Sequence, residues 1–295
     1  MSAPPPRATL DLRAPDGAVF HVRIYGEARP VRLFVSHGNG FAADGYVGFW
    51  RHFLAAYEVV VFDMRSHGRN PRAGNHDYAH MQSDIELVRR GVAAEFGTRP
   101  SAGLFHSMSA QAAMVAAQRG EAEFAALAAF DPPNVPPGGP ARAPMLEYER
   151  RLAAWARARR ERFADPSVLA ADYAATRSGR AWPAGTHEAM ARAVLRPDGD
   201  GWRLCCPRDD EASMYDQGVT LGLWPRRQDF AMPVKLIGSD PQCERPSPTA
   251  LANRALAEEG GFDYAAIPGT GHLLQLERPE ACAAAVTDFL ASVGL

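Results

Sequence analysis

The sequence has few cysteines and no long hydrophobic run. Only four cysteines occur, Cys205 and Cys206 are adjacent, and no C-x-x-C pair is found, so neither a disulfide framework nor a redox motif is expected. No segment reaches the roughly 18 consecutive apolar residues of a membrane span, and "MSAPPPRATL" lacks the apolar core of a secretion signal. We therefore expect free thiols, no membrane association and a cytoplasmic location.

An excess of one charge is also missing. The chain carries 32 Lys and Arg against 34 Asp and Glu, and Lys235 is the sole lysine. A net charge of −2 provides no basic field for nucleic acid or an anionic membrane. The nine histidines show no metal-binding spacing such as H-E-x-x-H. We expect no metal or cofactor. The expected partner is a small-molecule substrate, and a homodimer is left open.

The apolar segments predict an α/β fold. Residues 8–26 alternate apolar and polar side chains around Pro15-Asp16-Gly17, which indicates an N-terminal antiparallel hairpin. Continuous apolar runs at 31–35 and 57–62 are typical of parallel strands buried on both faces. Segments with helical spacing follow these runs. The alternation predicts a doubly wound, mostly parallel sheet.

A long segment interrupts this alternation. Residues 132–230 contain no strand-like run comparable to the others and instead show helical stretches such as 145–163, separated by proline and glycine. We interpret residues 132–230 as a helical lid, or cap, on a core formed by residues 1–131 and 231–295. The lid would cover the edge of the sheet where open α/β folds bind ligands.

Ser107 is the candidate nucleophile. In "SAGLFHSMSAQAAM" an apolar run leads to Ser107 and small residues then begin a helix, as in the G-x-S-x-G elbow that exposes a serine at a strained turn. Phe105 and Ser109 stand where that pattern has glycine. The alternative interpretation is that Ser107 is an ordinary helix N-cap.

Serine catalysis also needs a base and a carboxylate that orients it. His272, in a glycine-bearing loop after the last predicted strand, is the candidate base. Asp240, which ends the preceding strand, is the preferred carboxylate because it gives the chain order Ser, Asp, His. Asp131, at the end of an earlier strand, is the alternative.

The remaining candidates concern the oxyanion and the substrate pocket. "HGNGF" (37–41) follows the third predicted strand, and its glycines allow close approach to a carbonyl. We expect the backbone amides of Asn39 and Met108 to form the oxyanion hole. The candidate pocket residues are Phe41, His106, Trp182 and Trp224.

Four segments carry a family resemblance: "HGNGF" (37–41), "DMRSHG" (63–68), "HSMSA" (106–110) and "GTGHLLQLERPE" (269–280). With them the chain resembles the α/β-hydrolase superfamily, in its lidded esterase, lactonase and epoxide-hydrolase-like branch. The resemblance covers nearly the whole chain and is closest around His272. The family's epoxide hydrolases and dehalogenases use an aspartate nucleophile, so serine at position 107 argues against those reactions.

We therefore expect a serine hydrolase. It would cleave a small to medium, fairly apolar carboxylic ester or lactone through an acyl-enzyme on Ser107. One alternative keeps the same residues and changes the bond, to carbon–carbon, amide or thioester hydrolysis or cofactor-free perhydrolysis, because the pocket decides among these. The other is a non-catalytic protein that binds a small ligand.

Overall fold

A computed structural model of the chain describes residues 3–295, so Met1 and Ser2 of the predicted core lie outside the described residues. The strands, in chain order, are β1 (Ala8–Arg13), β2 (Val19–Tyr25), β3 (Arg32–Val35), β4 (Glu58–Val61), β5 (Ser101–His106), β6 (Ala126–Phe130), β7 (Arg162–Phe163), β8 (Leu195–Asp198), β9 (Gly201–Leu204), β10 (Val234–Ser239) and β11 (Asp263–Ile267). The α-helices are α1 (Val47–Trp50), α2 (Tyr78–Phe96), α3 (Met108–Gln118), α4 (Arg142–Ala158), α5 (Pro166–Ala175), α6 (Thr186–Val194), α7 (Arg208–Thr220), α8 (Pro248–Gly260), α9 (Leu274–Glu277) and α10 (Pro279–Ser292).

Eight strands form the main sheet in the order β1-β2-β4-β3-β5-β6-β10-β11. β2 pairs antiparallel with both β1 and β4, and the pairs from β4 to β11 are all parallel. This architecture confirms the predicted doubly wound, mostly parallel sheet with an N-terminal antiparallel hairpin. The carboxyl ends of β5, β6, β10 and β11 therefore lie at the same edge of the sheet.

Both faces of the sheet are covered, as the continuous apolar runs require. In β3, Phe34 belongs to one hydrophobic core, whereas Leu33 and Val35 belong to the other. The first core also contains side chains of α2, α3 and α8, and the second contains those of α1 and α10. Alternate residues of each strand thus face opposite layers of helices. None of the helices in residues 3–295 has the length and apolar character needed to cross a membrane.

The segment 132–230, here called the insert, is not purely helical as expected. Besides α4 to α7 it contains a small antiparallel sheet in the order β7-β9-β8. These strands have two to four residues, too few to produce a clear alternation. The sequence does contain a hairpin signal that was missed: Gly199-Asp200 is the two-residue turn between β8 and β9, and Gly199 has a φ of 65°.

The insert packs directly on the core. α4 lies against α7 and α8, and α6 lies against the 3₁₀ turn Ala43–Tyr46 that follows β3. Gly45 permits this approach, because a Cβ there would lie 2.4 Å from the sulfur of Met190. The insert therefore adjoins the same loops that follow the strands of the main sheet.

Candidate active site

Ser107 occupies a strained turn between β5 and α3. Its φ of 53° and ψ of −117° are unusual for a residue with a side chain, and its side chain makes no capping hydrogen bond to α3. Ser107 therefore occupies the N-cap position of α3, but its side chain does not cap the helix. Its Oγ instead lies 3.0 Å from Nε2 of His272. The turn has the conformation that presents a serine hydroxyl to a neighbouring base.

The structure explains how the turn accommodates Phe105 and Ser109. Phe105 packs edge-on against Phe62 and Phe124 in the core, and Gly103 makes room for it, since a Cβ on Gly103 would lie 2.5 Å from the Phe105 ring. The Ser109 hydroxyl accepts from the amide of His106 at 3.1 Å and donates to its carbonyl at 3.0 Å. Both departures from the glycine pattern thus have a structural role at this turn.

His272 joins Ser107 to a buried carboxylate. Its Nδ1 lies 2.7 Å from Oδ2 of Asp131, while its Nε2 faces Ser107. Because a carboxylate accepts hydrogen bonds, Nδ1 carries the proton and the Nε2 lone pair is directed at the serine hydroxyl. Asp131 is fully buried, and the His272 side chain is 17% exposed. This row of three side chains has the arrangement used for nucleophilic catalysis.

Asp131 is held by several further donors. Its carboxylate accepts hydrogen bonds from the side chains of Ser239, Thr249 and Asn253 and from the backbone amide of Ser239. Burial by itself raises the pKa of Asp131, but the hydrogen bonds from His272, Thr249 and Ser239 outweigh burial and lower it. The carboxylate is therefore ionised at neutral pH and fixed beside the imidazole.

The expectation for Asp240 is corrected by the structure. Asp240 follows β10 as predicted, but its carboxylate accepts from the amides of Gly269 and Gln242, each at 2.8 Å, and does not contact His272. Asp131, at the end of the neighbouring β6, has a φ of 42° and reaches the imidazole instead. Asp240 thus fixes the loop that precedes His272, and the alternative carboxylate takes the place beside the ring.

The loop that carries Asn39, one of the two expected oxyanion donors, lies beside the serine. A Cβ on Gly38 would lie 3.2 Å from the Ser107 Cβ, so the 37–41 loop contacts the turn. The amides of Gly38, Gly40 and Phe41 are hydrogen-bonded within the protein. The amide of Asn39 has no acceptor among residues 3–295, and neither has that of Met108 at the start of α3. Neither amide is therefore engaged by another group in the part of the chain that the structure describes.

His106 supports the site and does not line an open pocket, contrary to expectation. Its ring is buried, Nε2 lies 2.9 Å from the backbone carbonyl of His272, and Nδ1 lies 2.8 Å from the hydroxyl of Tyr46. A carbonyl can only accept, so Nε2 carries the proton and Nδ1 accepts from Tyr46. Burial, followed by the nearby His272, lowers the pKa of His106 to about 3. The ring is therefore neutral.

Two of the remaining pocket candidates lie together and one does not. Phe41 stacks on Tyr173 of α5, and Tyr173 in turn contacts Trp182, so an aromatic row runs from the 37–41 loop into the insert. Trp224 instead donates from its indole nitrogen to Glu259 at the end of α8 and packs on the opposite face of the sheet from Trp182. Trp224 is therefore not part of this row.

Two tyrosines beside the serine and the histidine were not predicted from the sequence. Tyr46 binds His106, and the ring of Tyr148 on α4 lies edge-on to His272 with the ring centroids 6.5 Å apart. Neither belongs to a recognisable motif, because each reaches the site from a separate element. The helical spacing around Tyr148 placed it on a helix but gave no indication of its neighbour.

Comparisons with known proteins agree with this architecture. The sequence matches the family described as "Alpha/beta hydrolase family" over residues 33–285. No curated protein sequence matches the chain. Among solved structures, E-2-(acetamidomethylene)succinate hydrolase is similar with a TM-score of 0.75 and 17% identity, over 96% of this chain and 100% of that one.

Two further solved structures are similar at the same level. The enol-lactonase from Burkholderia xenovorans has a TM-score of 0.67 and 18% identity, over 96% of this chain and 100% of its own. The thermophilic esterase from Thermogutta terrifontis has a TM-score of 0.65 and 18% identity, over 98% of this chain and 100% of its own. These likenesses concern the fold. The match over residues 33–285 extends across most of the chain, which therefore belongs to the alpha/beta hydrolase family.

Proposed function

We propose that the protein is a serine hydrolase that cleaves a carboxylic ester or lactone through an acyl-enzyme on Ser107. The observation that carries this proposal is the continuous hydrogen-bonded row from the Ser107 hydroxyl through His272 to Asp131, with separations of 3.0 and 2.7 Å. The strained conformation of Ser107 supports it, since such strain concentrates at reactive positions.

The first half of the reaction forms the acyl-enzyme. Ser107 Oγ bonds to the carbonyl carbon while Nε2 of His272 takes the hydroxyl proton. The tetrahedral intermediate then collapses: the bond to the alkoxy oxygen breaks, and His272 returns the proton to that oxygen. An ester releases an alcohol, whereas a lactone opens and keeps its new hydroxyl on the acyl chain.

Water completes the cycle. His272 removes a proton from a water molecule, the hydroxide oxygen bonds to the acyl carbon, and Ser107 leaves with the proton that His272 returns. Asp131 stabilises the imidazolium in both steps. The amides of Asn39 and Met108 would donate to the carbonyl oxygen as it becomes negative, and one such donor is typically worth about 10²–10³ in rate.

We propose that the substrate is small and fairly apolar near the reacting carbonyl. Ser107 is only 5% exposed, which leaves little room at the serine for a long chain unless the insert moves. The groups beside the site are largely aromatic, with Tyr148 over His272 and Phe41 stacked on Tyr173. The relatives named as an esterase and an enol-lactonase support these two substrate classes.

The test uses p-nitrophenyl acetate, butyrate and octanoate together with a fluorophosphonate probe. We expect wild type to hydrolyse the short esters fastest and to gain one covalent adduct by intact mass. Ser107→Ala should lose both activities. Ser83→Ala is the control, because it removes a hydroxyl that makes only an exposed bond to the Ala79 carbonyl, and it should still be labelled.

Other outcomes separate the alternatives. Labelling of Ser107 without ester turnover would move the proposal to amide, thioester or carbon–carbon substrates. Folded wild-type protein that neither turns over esters nor reacts with the probe would contradict the enzyme and favour a ligand-binding protein.

A further inference from the structure

The core and the insert meet along a polar seam. Arg72 of the core donates to both carboxylate oxygens of Asp210 on α7, at 3.1 and 3.0 Å. Gln217, also on α7, donates to the carbonyl of His76 and accepts from the amide of Tyr78. The loop before α2 is therefore fastened to α7 of the insert by several hydrogen bonds.

Three metal-ligating side chains converge in this seam. His67 and His76 come from the core and Cys206 from the insert, and one ligand atom of each lies within 4.8 Å of the other two. The rings of His67 and His76 stack with centroids 5.6 Å apart. His67 and His76 are nine residues apart and Cys206 lies far from both in sequence, so no metal-binding spacing is visible there.

The ring nitrogens of His76 point to a bound ion independently of this cluster. Both of its ring nitrogens are buried, and neither has a hydrogen-bond partner among residues 3–295. Buried polar atoms in native proteins nearly always have a partner, and an exception calls for an explanation such as a bound ion. A metal ion between His76 and Cys206 would satisfy one of these nitrogens.

His67 is oriented as a metal ligand commonly is. Its Nδ1 donates to the backbone carbonyl of Arg65 at 2.8 Å, which leaves the lone pair on Nε2, and a histidine ligand is usually fixed by such a second hydrogen bond. This Nε2 atom accepts a hydrogen bond from the amide of Gly40, at 3.1 Å. A metal ion bound to Nε2 of His67 would therefore replace the hydrogen bond from the Gly40 amide.

The donor set selects the class of metal. Two imidazoles and one thiolate suit Zn²⁺, a borderline-soft ion that takes nitrogen and sulfur ligands at about 2.0–2.1 and 2.3 Å. Burial keeps both imidazoles neutral by lowering their pKa values, that of His76 to about 4. Burial also raises the pKa of the Cys206 thiol, so binding would form a zinc–sulfur bond and release one proton to solvent.

We propose that His67, His76 and Cys206 form a Zn²⁺ site that fastens the insert to the core. A water molecule would complete a tetrahedral shell. The ligand atoms, which lie within 4.8 Å of one another, would have to draw together by up to about 1 Å or somewhat more, because two nitrogens and one sulfur bound tetrahedrally at these lengths are roughly 3.3–3.6 Å apart. The proposal concerns a structural clamp and does not rest on the reaction at Ser107, although Gly40, which donates to His67, lies in the loop that carries Asn39.

The test is metal binding by full-length, untagged protein that has been reduced and freed of metal with a chelator. We expect one Co²⁺ per chain with a thiolate-to-cobalt charge-transfer band, displaced by Zn²⁺. Cys206→Ser should lose the band, and His76→Ala should weaken Zn²⁺ binding by at least the roughly 10–100-fold that loss of a supporting residue costs. Cys205→Ser is the matched control, since it removes the adjacent buried thiol, and should bind like wild type.

X-ray absorption on Zn²⁺-loaded wild type tests the site without any variant. A shell with one sulfur and two imidazole nitrogens supports the proposal, together with a melting temperature that Zn²⁺ raises. A shell of nitrogen and oxygen alone would overturn it. So would wild type that binds no stoichiometric Zn²⁺, or a Cys206→Ser variant that keeps the charge-transfer band.

Discussion

His106 and His272 are joined by a hydrogen bond in which the ring of the first supports the backbone of the second. Nε2 of His106 donates to the carbonyl of His272 at 2.9 Å, while Nδ1 accepts from Tyr46. The Tyr46 oxygen also lies 3.4 Å from the amide of Gly38. One neutral imidazole therefore connects the serine turn, the base loop and the loop that carries the candidate oxyanion donor.

This contact predicts how substitutions of His106 will behave. His106→Leu removes both hydrogen bonds and should lower kcat by up to about 10²-fold, because small misplacements of reacting groups have effects of this size. His106→Gln can still donate to His272 and accept from Tyr46, and should retain most activity. The measurement is kcat on a short p-nitrophenyl ester, with thermal melting as the folding control. Equal losses in the two variants would show that the hydrogen bonds do not position the base.

The two aspartates provide a matched pair. Asp131→Asn removes the charge beside His272 and permits the wrong tautomer, so kcat should fall by about 10⁴-fold. Asp240→Asn makes the same chemical change in a residue that contacts only backbone amides of its own and the base loop, and kcat should fall by less than about tenfold. The measurement is kcat of both variants and of wild type on one short p-nitrophenyl ester, and it shows which aspartate orients His272. The opposite order would return the orienting role to Asp240.

Ser109 should contribute to stability at the serine turn. Ser109→Ala leaves the buried amide of His106 without its acceptor, which typically costs about 1–3 kcal/mol in the free energy of unfolding. Urea unfolding measures the change. Ser83→Ala is the control, since its hydroxyl makes only an exposed bond to the Ala79 carbonyl and should change stability by less than about 0.5 kcal/mol. Equal effects in the two variants would contradict this role of Ser109.

Glu149 should make stability depend on pH. It is buried on α4 without a hydrogen bond or ion pair among residues 3–295, and burial raises its pKa from 4.5 to about 8. Between these values the folded state keeps the proton and the unfolded state loses it, so the contribution to stability is full below pH 4.5 and is lost as pH rises towards 8. The integrated loss is on the order of 4 kcal/mol.

Glu149→Gln should remove this loss. The variant should be more stable than wild type at pH 8 and should match it most closely near pH 4.5, in urea unfolding across that range. Glu147→Gln, on the exposed side of the same helix, is the control and should follow wild type. Parallel curves for wild type and Glu149→Gln would contradict the burial of a neutral carboxyl at this position.

The sequence was sufficient for the main sheet and for the serine and histidine of the site. Strands buried on both faces need continuous apolar runs, and α2 needs apolar residues at helical spacing. Each of these patterns is visible in a short stretch of sequence. β7 to β9 were missed because strands of two to four residues are stabilised by their partners more than by their own pattern.

Three features depend only on the tertiary structure. They are the choice of the carboxylate beside His272, the contact of His106 with the His272 backbone, and the polar seam between core and insert. Asp131 and Asp240 both end strands at the same edge of the sheet, and sequence order favoured the wrong one. The choice depends on backbone conformation, since a φ of 42° at Asp131 turns its carboxylate towards His272. Sequence alone thus determined which residue types follow which strands. The directions in which their side chains point depend on packing between segments more than 100 residues apart, which no local pattern records.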